Sequence, residues 1–232
     1  MPHLPETLAV TYFESLVKES NFPTGVIYFD ADPFMPTVFK ASKEKLEETN
    51  DKYSLSETYN DDYHDFKALL LKAKKKKLKS LVFLGYDKMG LAMKQARQLG
   101  IKSQFYAINT ISSPGYNELG GKALENTIVP LWQAKRGEKF DRFLSDFKEI
   151  KQRKPFLEIS TVPSYDIAEI IVSKLKTKNL NNDPLKMEDI KNHFYTLNNY
   201  EGLSGNITID SDGITRSLKS YVKKYLGNGN FE

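Results

Sequence analysis

Strand-length apolar runs recur through the first 132 residues: VIYF (Val26–Phe29), LVFL (Leu81–Leu84), QFYAI (Gln104–Ile108) and NTIVPLW (Asn126–Trp132). Between them, apolar residues return at helical spacing. Phe66, Leu69, Leu70 and Ala73 mark one such face, and Met89, Ala92, Met93, Ala96 and Leu99 another, closed by Gly100 as a C-cap. A further helix is expected over Thr37–Glu48, and an N-terminal one from the stripe Leu4, Leu8, Tyr12 and Leu16. Lys52–Thr58 is a more polar segment, suited to an edge strand. Strands alternating with helices predict an α/β fold, a doubly wound, mainly parallel sheet with flanking helices. Pro130 inside the last run must lie at an edge or where the strand leaves the sheet.

The pattern then changes. Glu138–Lys151, Pro163–Lys176 and Leu185–Leu197 read as three helices with little strand between them. In the second, Ile167, Ile170, Ile171 and Leu175 form an apolar stripe expected to be buried. The tail from Leu203 to Phe231 reads as strands joined by Asp212-Gly213 and Asn228-Gly229 turns. Helices of this kind normally cover a parallel sheet. Their partner strands are expected in another chain or a further segment, and an uncovered stripe would favour a homodimer.

The chain has 232 residues, enough for one large domain or two small ones. It has no cysteine, so disulfides, thiolate catalysis and cysteine zinc sites are excluded. A net charge of +4 does not by itself imply nucleic acid. No apolar run reaches the roughly 18 residues of a membrane span, and MPHLPETLAV shows no signal-peptide pattern.

Gly85 and Gly90 in LVFLGYDKMGLAMKQ have the five-residue spacing of a phosphate-binding loop. The chemistry fails, because Leu91 and Ala92 stand where Lys and Ser or Thr are needed. What remains is a strand-to-helix turn offering Tyr86 beyond a strand's carboxyl end, where open α/β sheets bind ligands. Lys72, Lys74–Lys77 and Lys79 form a basic cluster, read chiefly as a solvated helix end. Asp61, Asp62, His64 and Asp65 fit a helix N-terminus better than a metal site. Asp210–Gly213 lacks the closing Glu of a calcium loop, and GLSG at Gly202–Gly205 is one residue short of a nucleophile elbow. No catalytic constellation stands out. The expectation is a binding module, not an enzyme, without cofactor or metal.

Residues 81–107, with the pieces MGxxxxQAR and LGIKSQF, closely resemble the central segment of the leucine/isoleucine/valine-binding proteins, type I periplasmic solute-binding proteins of ABC transporters. GLSGNITIDSDG (202–213), SYDIAEIIVSKL (164–175) and HDFKALLLKAKKKKLKSLVFLG resemble other segments of that family. The resemblance implies two lobes that the chain crosses between, with the N-terminal part of the first lobe missing. Residues 1–127 would be the core of lobe 2, 128–200 a helical part returning to lobe 1, and 201–232 strands returning to lobe 2.

Ligand contacts are implied at Phe34, Tyr86 and Asn109, and hinge positions at Pro130, Glu201 and Gly202. Phe34 falls where the family often has Tyr, and Met35 replaces the Gly that follows it. Asn109 stands where amino-acid binders carry an acid against the substrate ammonium, which counts against a branched-chain amino acid as ligand. The resemblance further implies a small polar solute, an ABC transporter permease as partner, no nucleic acid, and a periplasmic or extracytoplasmic full-length protein. The alternatives are a regulatory ligand-sensing domain of the same fold and a flavodoxin-like α/β enzyme.

Overall fold

The structure is a computed structural model that describes residues 11, 14–16, 18–19, 21–132, 134–153, 155, 158–180, 186–211, 213 and 220–232. The stripe Leu4, Leu8 and Tyr12 lies outside them, as does Asp212. The described residues form two compact units, one of those up to 131 together with 220–232, the other of those from 132 to 213.

The first unit is built on a seven-stranded sheet. Its strands are β1 (Thr24–Phe29), β2 (Leu55–Tyr59), β3 (Ser80–Leu84), β4 (Gln104–Ala107), β5 (Thr127–Trp132), β8 (Ser220–Gly227) and β9 (Asn230–Phe231), in the order β2-β1-β3-β4-β5-β8-β9. β1 pairs in parallel with β2 and β3, β3 with β4, and β4 with β5. The Asn228-Gly229 turn closes an antiparallel pair, β8 with β9. The other strands of the parallel part coincide with those expected to within two residues; the polar strand β2 starts three residues later than expected and is at the edge. For β5 the register with β4 is Tyr106 opposite Ile128, so Pro130 lies past that pairing and deprives no β4 carbonyl of a donor.

Four helices whose full extent lies among the described residues serve this unit: α1 (Phe34–Glu48), α2 (Lys67–Lys75), α3 (Lys88–Gln98) and α4 (Pro114–Gly120). Their apolar stripes meet the sheet in one core that includes Val26, Ile27, Phe83, Phe105, Met89, Met93 and Tyr116, with Leu16 from the N-terminal segment. α1 starts at Phe34, three residues before its expected start. The Asp32 carboxylate accepts the N–H groups of Phe34 at 2.8 Å and Met35 at 3.1 Å, satisfying donors the helix itself cannot. Of the acids upstream of α2, Asp65 takes this role, accepting Lys67 N–H at 3.0 Å.

The second unit holds α5 (Glu138–Lys151), α6 (Glu158–Leu180), α7 (Met187–Tyr195) and a hairpin of β6 (Tyr200–Gly202) with β7 (Gly205–Ile207). α6 begins five residues before Pro163, which the helix contains. The expected burial of the α6 stripe holds only at Ile170, covered by Leu197 and Ile207. Ile167 and Ile171 are half-buried and Leu175 is exposed. The reason is coverage: the described residues clustered with Ile170 are Phe194, Leu197, Tyr200, Ile207 and Ile209, from one short helix and a small hairpin with the residues beside them. A second cluster joins Trp132, Phe140, Phe143, Val162 and Leu203.

The unit boundaries differ from those expected at 127/128 and 200/201. The sheet unit runs to Leu131 and resumes at Ser220. The hairpin stays with the helices because Asp166 of α6 binds its turn: its carboxylate accepts Leu203 N–H at 2.6 Å and Ser204 N–H at 2.8 Å.

Candidate functional site

Because β1 to β5 run parallel, their carboxyl ends share one edge of the sheet, and the turns after them converge there. The tips of β1, β3 and β4 are neighbours. They carry Phe34, Tyr86 and Asn109 respectively, so the three sequence-derived ligand positions line one edge.

Tyr86 follows Gly85 in the β3–α3 turn and is 42% exposed, one of the large exposed hydrophobic side chains. Its ring meets Phe29 edge-on at 5.6 Å, and its backbone N–H reaches the Tyr59 hydroxyl at 3.4 Å. Partial burial, then the facing Asp32 carboxylate, push the Tyr86 phenol up to about 12. It therefore stays protonated at neutral pH and serves as a hydrogen-bond donor. Burial also raises the Tyr59 phenol well above its ordinary value. Tyr59 is fixed by rings on two sides, Phe29 at 5.2 Å and Phe66 at 5.3 Å. A methyl at Gly85 would come within 2.1 Å of the Tyr59 oxygen, so glycine is what lets the turn close over it.

Asn109 opens a short 3-10 turn, Asn109–Ser112, after β4. The Thr110 hydroxyl donates to the Gly85 carbonyl at 2.7 Å, tying this turn to the one bearing Tyr86. Ser113 donates to the Asp87 carboxylate and caps α4 by accepting Tyr116 N–H at 3.1 Å. Among the described residues the Asn109 amide is not engaged by another side chain. Phe34 is half-buried against the core, with its backbone on Asp32.

Asp32 and Tyr59 were missed in the sequence. Asp32 reads there as one polar residue in a loop; an acid two residues before an apolar helical stripe was the available signal. Asp32, with Asp30 and Asp61 nearby on the same edge, makes the tips acidic. No group of three or more potential ligand side chains arranged for a metal occurs among the described residues.

The residues expected as hinges, Pro130, Glu201 and Gly202, are distributed differently. Pro130 lies in β5, directly before the last residue of the sheet unit. Glu201 and Gly202 lie in β6, inside the helical unit. The chain segment just after β5 runs beside them: Lys135 N–H donates to the Leu203 carbonyl at 3.1 Å, and Lys135 Nζ pairs with Glu201 at 2.5 Å. That lysine, first by hydrogen bond and then by charge, holds the Glu201 carboxyl below its ordinary value. Gly202 has no room for a side chain, since a methyl there would fall within 2.7 Å of Asp166.

Comparison with known proteins fits this arrangement. The family model described as periplasmic binding protein matches residues 3–223. The leucine-, isoleucine-, valine-, threonine- and alanine-binding protein of Pseudomonas aeruginosa is 27% identical over 203 residues, covering 87% of this chain and 53% of that protein. The chain thus spans about half the length of that relative. Among solved structures, the leucine binding protein LivK of Thermotoga maritima superposes with a TM-score of 0.81 at 21% identity, over 98% of this chain and 64% of that one. LivJ of Streptococcus pneumoniae, solved in complex with isoleucine, gives 0.78 at 18% identity, again over 98% and 64%. These are binding proteins rather than enzymes, so a flavodoxin-like enzyme is set aside. With strand tips gathered on one sheet edge and a family match over nearly its whole length, the chain belongs to the type I periplasmic binding proteins.

Proposed function

We propose that this chain forms the lobe-2-centred part of the substrate-binding component of an ABC-type uptake system for an amino acid or related small polar solute. The observation that carries it is Tyr86, exposed at a strand tip with a protonated hydroxyl facing Asp32, in line with Phe34 and Asn109. The sequence suggested that a neutral Asn109 leaves a substrate ammonium uncompensated; Asp32 supplies a carboxylate on the same edge. In the full-length protein the solute would be enclosed between two lobes by hinge closure and passed to a permease, outside the cytoplasm. Closure would be absorbed at Pro130 and in the paired segments around Lys135 and Glu201–Gly202.

Half of such a site lies on the other lobe, so the present chain should bind its solute more weakly than micromolar. Titration with leucine, isoleucine, valine, threonine and alanine tests this. The expected result is small amide shift changes in NMR, centred on Tyr86, Asn109 and Phe34, and lost in Tyr86→Ala. Shifts elsewhere, or micromolar affinity by calorimetry for this chain alone, would overturn the proposal.

The half-covered α6 stripe, with Val172 and Leu175 exposed, supports a homodimer contact for this chain. Light scattering should give twice the chain mass, shifting toward monomer in Val172→Lys. A monomeric mass at all concentrations rules the contact out.

A further inference from the structure

The opposite, amino-end edge of the sheet carries a cleft of about 490 Å³ that the solute site does not use. Lys74, Lys77, Lys79 and Lys102 line it, with Asn21 and Ser103, and no acidic residue is among its lining. The lysine run in the sequence accounts for the first three; Lys102 arrives from the separate loop before β4.

These lysines are mounted on a braced frame. Arg97 stacks on Phe105 at 3.5 Å and donates to the carbonyls of Ile101 at 2.8 Å and Ser103 at 3.0 Å, clamping the loop that bears Lys102. The Ser103 hydroxyl donates to the Leu78 carbonyl at 2.6 Å, fastening that loop to the segment bearing Lys77 and Lys79. Lys79 is held through its own backbone, N–H to Pro23 at 2.9 Å and carbonyl from Gln104 N–H at 2.8 Å. Lys77 has the left-handed φ of 51° that ends α2 and turns the chain along the cleft wall.

The lysines are not consumed by carboxylates. Lys74 donates to the Leu99 carbonyl at 2.8 Å, answering the free C-terminal carbonyls of α3. Lys77, Lys79 and Lys102 make no ion pair among the described residues. Glu19, which reaches the wall residue Asn21, is taken up by the Asn21 amide at 2.7 Å and the Tyr106 hydroxyl at 3.2 Å. Ammonium groups gathered around one concavity repel one another, and a single multivalent anion relieves several of these repulsions at once. Lysine binds phosphate as a point charge that adapts to its position.

We propose that this cleft is a second binding site, for a phosphate-bearing polyanion, separate from the solute edge. The inference does not depend on the proposed function, because none of its residues belongs to the strand tips.

The test uses the full chain, tripolyphosphate as soluble probe and phosphatidylglycerol vesicles as membrane probe, in low-salt buffer. Lys77→Glu/Lys102→Glu is the variant, and its thermal melt and circular dichroism report folding. Arg97 is left intact. The expected result is saturable binding of tripolyphosphate that weakens steeply with added salt and falls by about tenfold or more in the folded double variant. Vesicle co-sedimentation lost in the same variant would assign the phosphate to a lipid headgroup; soluble binding without it would assign a free anion. Absence of binding to both probes, or binding that the double variant leaves unchanged, would overturn the proposal. Should the double variant misfold, Lys77→Gln and Lys102→Gln singly carry the same comparison.

Discussion

Gly90→Ala is expected to destabilise the sheet unit although alanine is the better helix former. In α3 a methyl at this position would lie 2.3 Å from the Tyr116 carbonyl oxygen and 3.1 Å from the Gly120 nitrogen, both backbone atoms of α4. Such a contact is relieved only by moving one helix more than an ångström from the other. α4 resists that movement. Tyr116 is fully buried, Asn117 donates to the carbonyls of Ile111 at 2.9 Å and Ser113 at 2.8 Å, and the Tyr225 hydroxyl reaches Asn117 at 2.6 Å. The gain from Gly to Ala in a helix is about 1 kcal/mol, whereas overpacking a close contact costs about 1–3 kcal/mol and more where backbone must shift. A net loss of about 2 kcal/mol lowers the melting midpoint by about 4–8 °C for a chain of this size. Gly100→Ala is the control: φ there is +75° and the space is open, so the cost is the left-handed backbone alone, about 1–2 kcal/mol. Equal losses of cooperative unfolding at Gly90 and Gly100, with unperturbed near-ultraviolet circular dichroism in both, would mean that α4 yields easily and that close approach is not the role of Gly90.

Gly85 and Gly90 show how a pattern can be legible while its meaning is not. Their spacing invites a phosphate loop, and the absent Lys and Ser or Thr dismiss it from sequence alone. What each glycine accommodates, Tyr59 in one case and α4 in the other, lies far away along the chain and emerges only on folding. The same division runs through the molecule. VIYF, LVFL and QFYA were legible because buried parallel strands are dense in apolar residues over short runs. Tyr86 was legible because a residue directly after such a strand must lie at its tip. Asp32 was not, since its importance comes from facing Tyr86 and from capping α1 three-dimensionally. The early start of α1 was hidden for the same reason: Phe34 and Met35 are helical because Asp32 accepts their N–H groups. The lysine cleft divides likewise, its run visible and the arrival of Lys102 not. In the helical unit, periodicity located α5, α6 and α7 but misjudged the burial of Ile167, Ile171 and Leu175. A stripe records what a helix is able to cover, not whether something covers it.

Asp166→Ala is expected to release the β6–β7 hairpin from α6. The carboxylate is 1% exposed and accepts hydrogen bonds from Leu203 N–H at 2.6 Å, Ser204 N–H at 2.8 Å and the Ser204 hydroxyl at 2.5 Å. Hydrogen bonds to a charged acceptor contribute about 1.5–3 kcal/mol each, and donors left buried without an acceptor add a penalty. The three share one acceptor and do not add in full, so their joint loss is about 3–5 kcal/mol, which the apolar cluster that Leu203 shares with Trp132 cannot offset, as burying one side chain is worth about 1.5–3 kcal/mol. The expected signature is local. Amide exchange at Leu203 and Ser204 accelerates toward the unprotected rate, and the emission of Trp132, the only tryptophan of the chain, shifts to the red as its cover leaves. Asp166→Asn should recover less than half of the protection, because its amide oxygen replaces one acceptor while its NH2 faces a donor. Protection and emission both unchanged in Asp166→Ala would show that the apolar cluster alone holds the hairpin. Under the proposed function, release also bears on solute binding. Lys135 N–H bonds the Leu203 carbonyl, so the segment that carries the chain out of β5 borrows its order from the hairpin that Asp166 fixes. If the proposed closure is absorbed there, Asp166→Ala lowers solute affinity while the strand tips remain intact. Tyr86→Ala would instead lose affinity with the hairpin fully protected, and exchange at Leu203 separates the two causes.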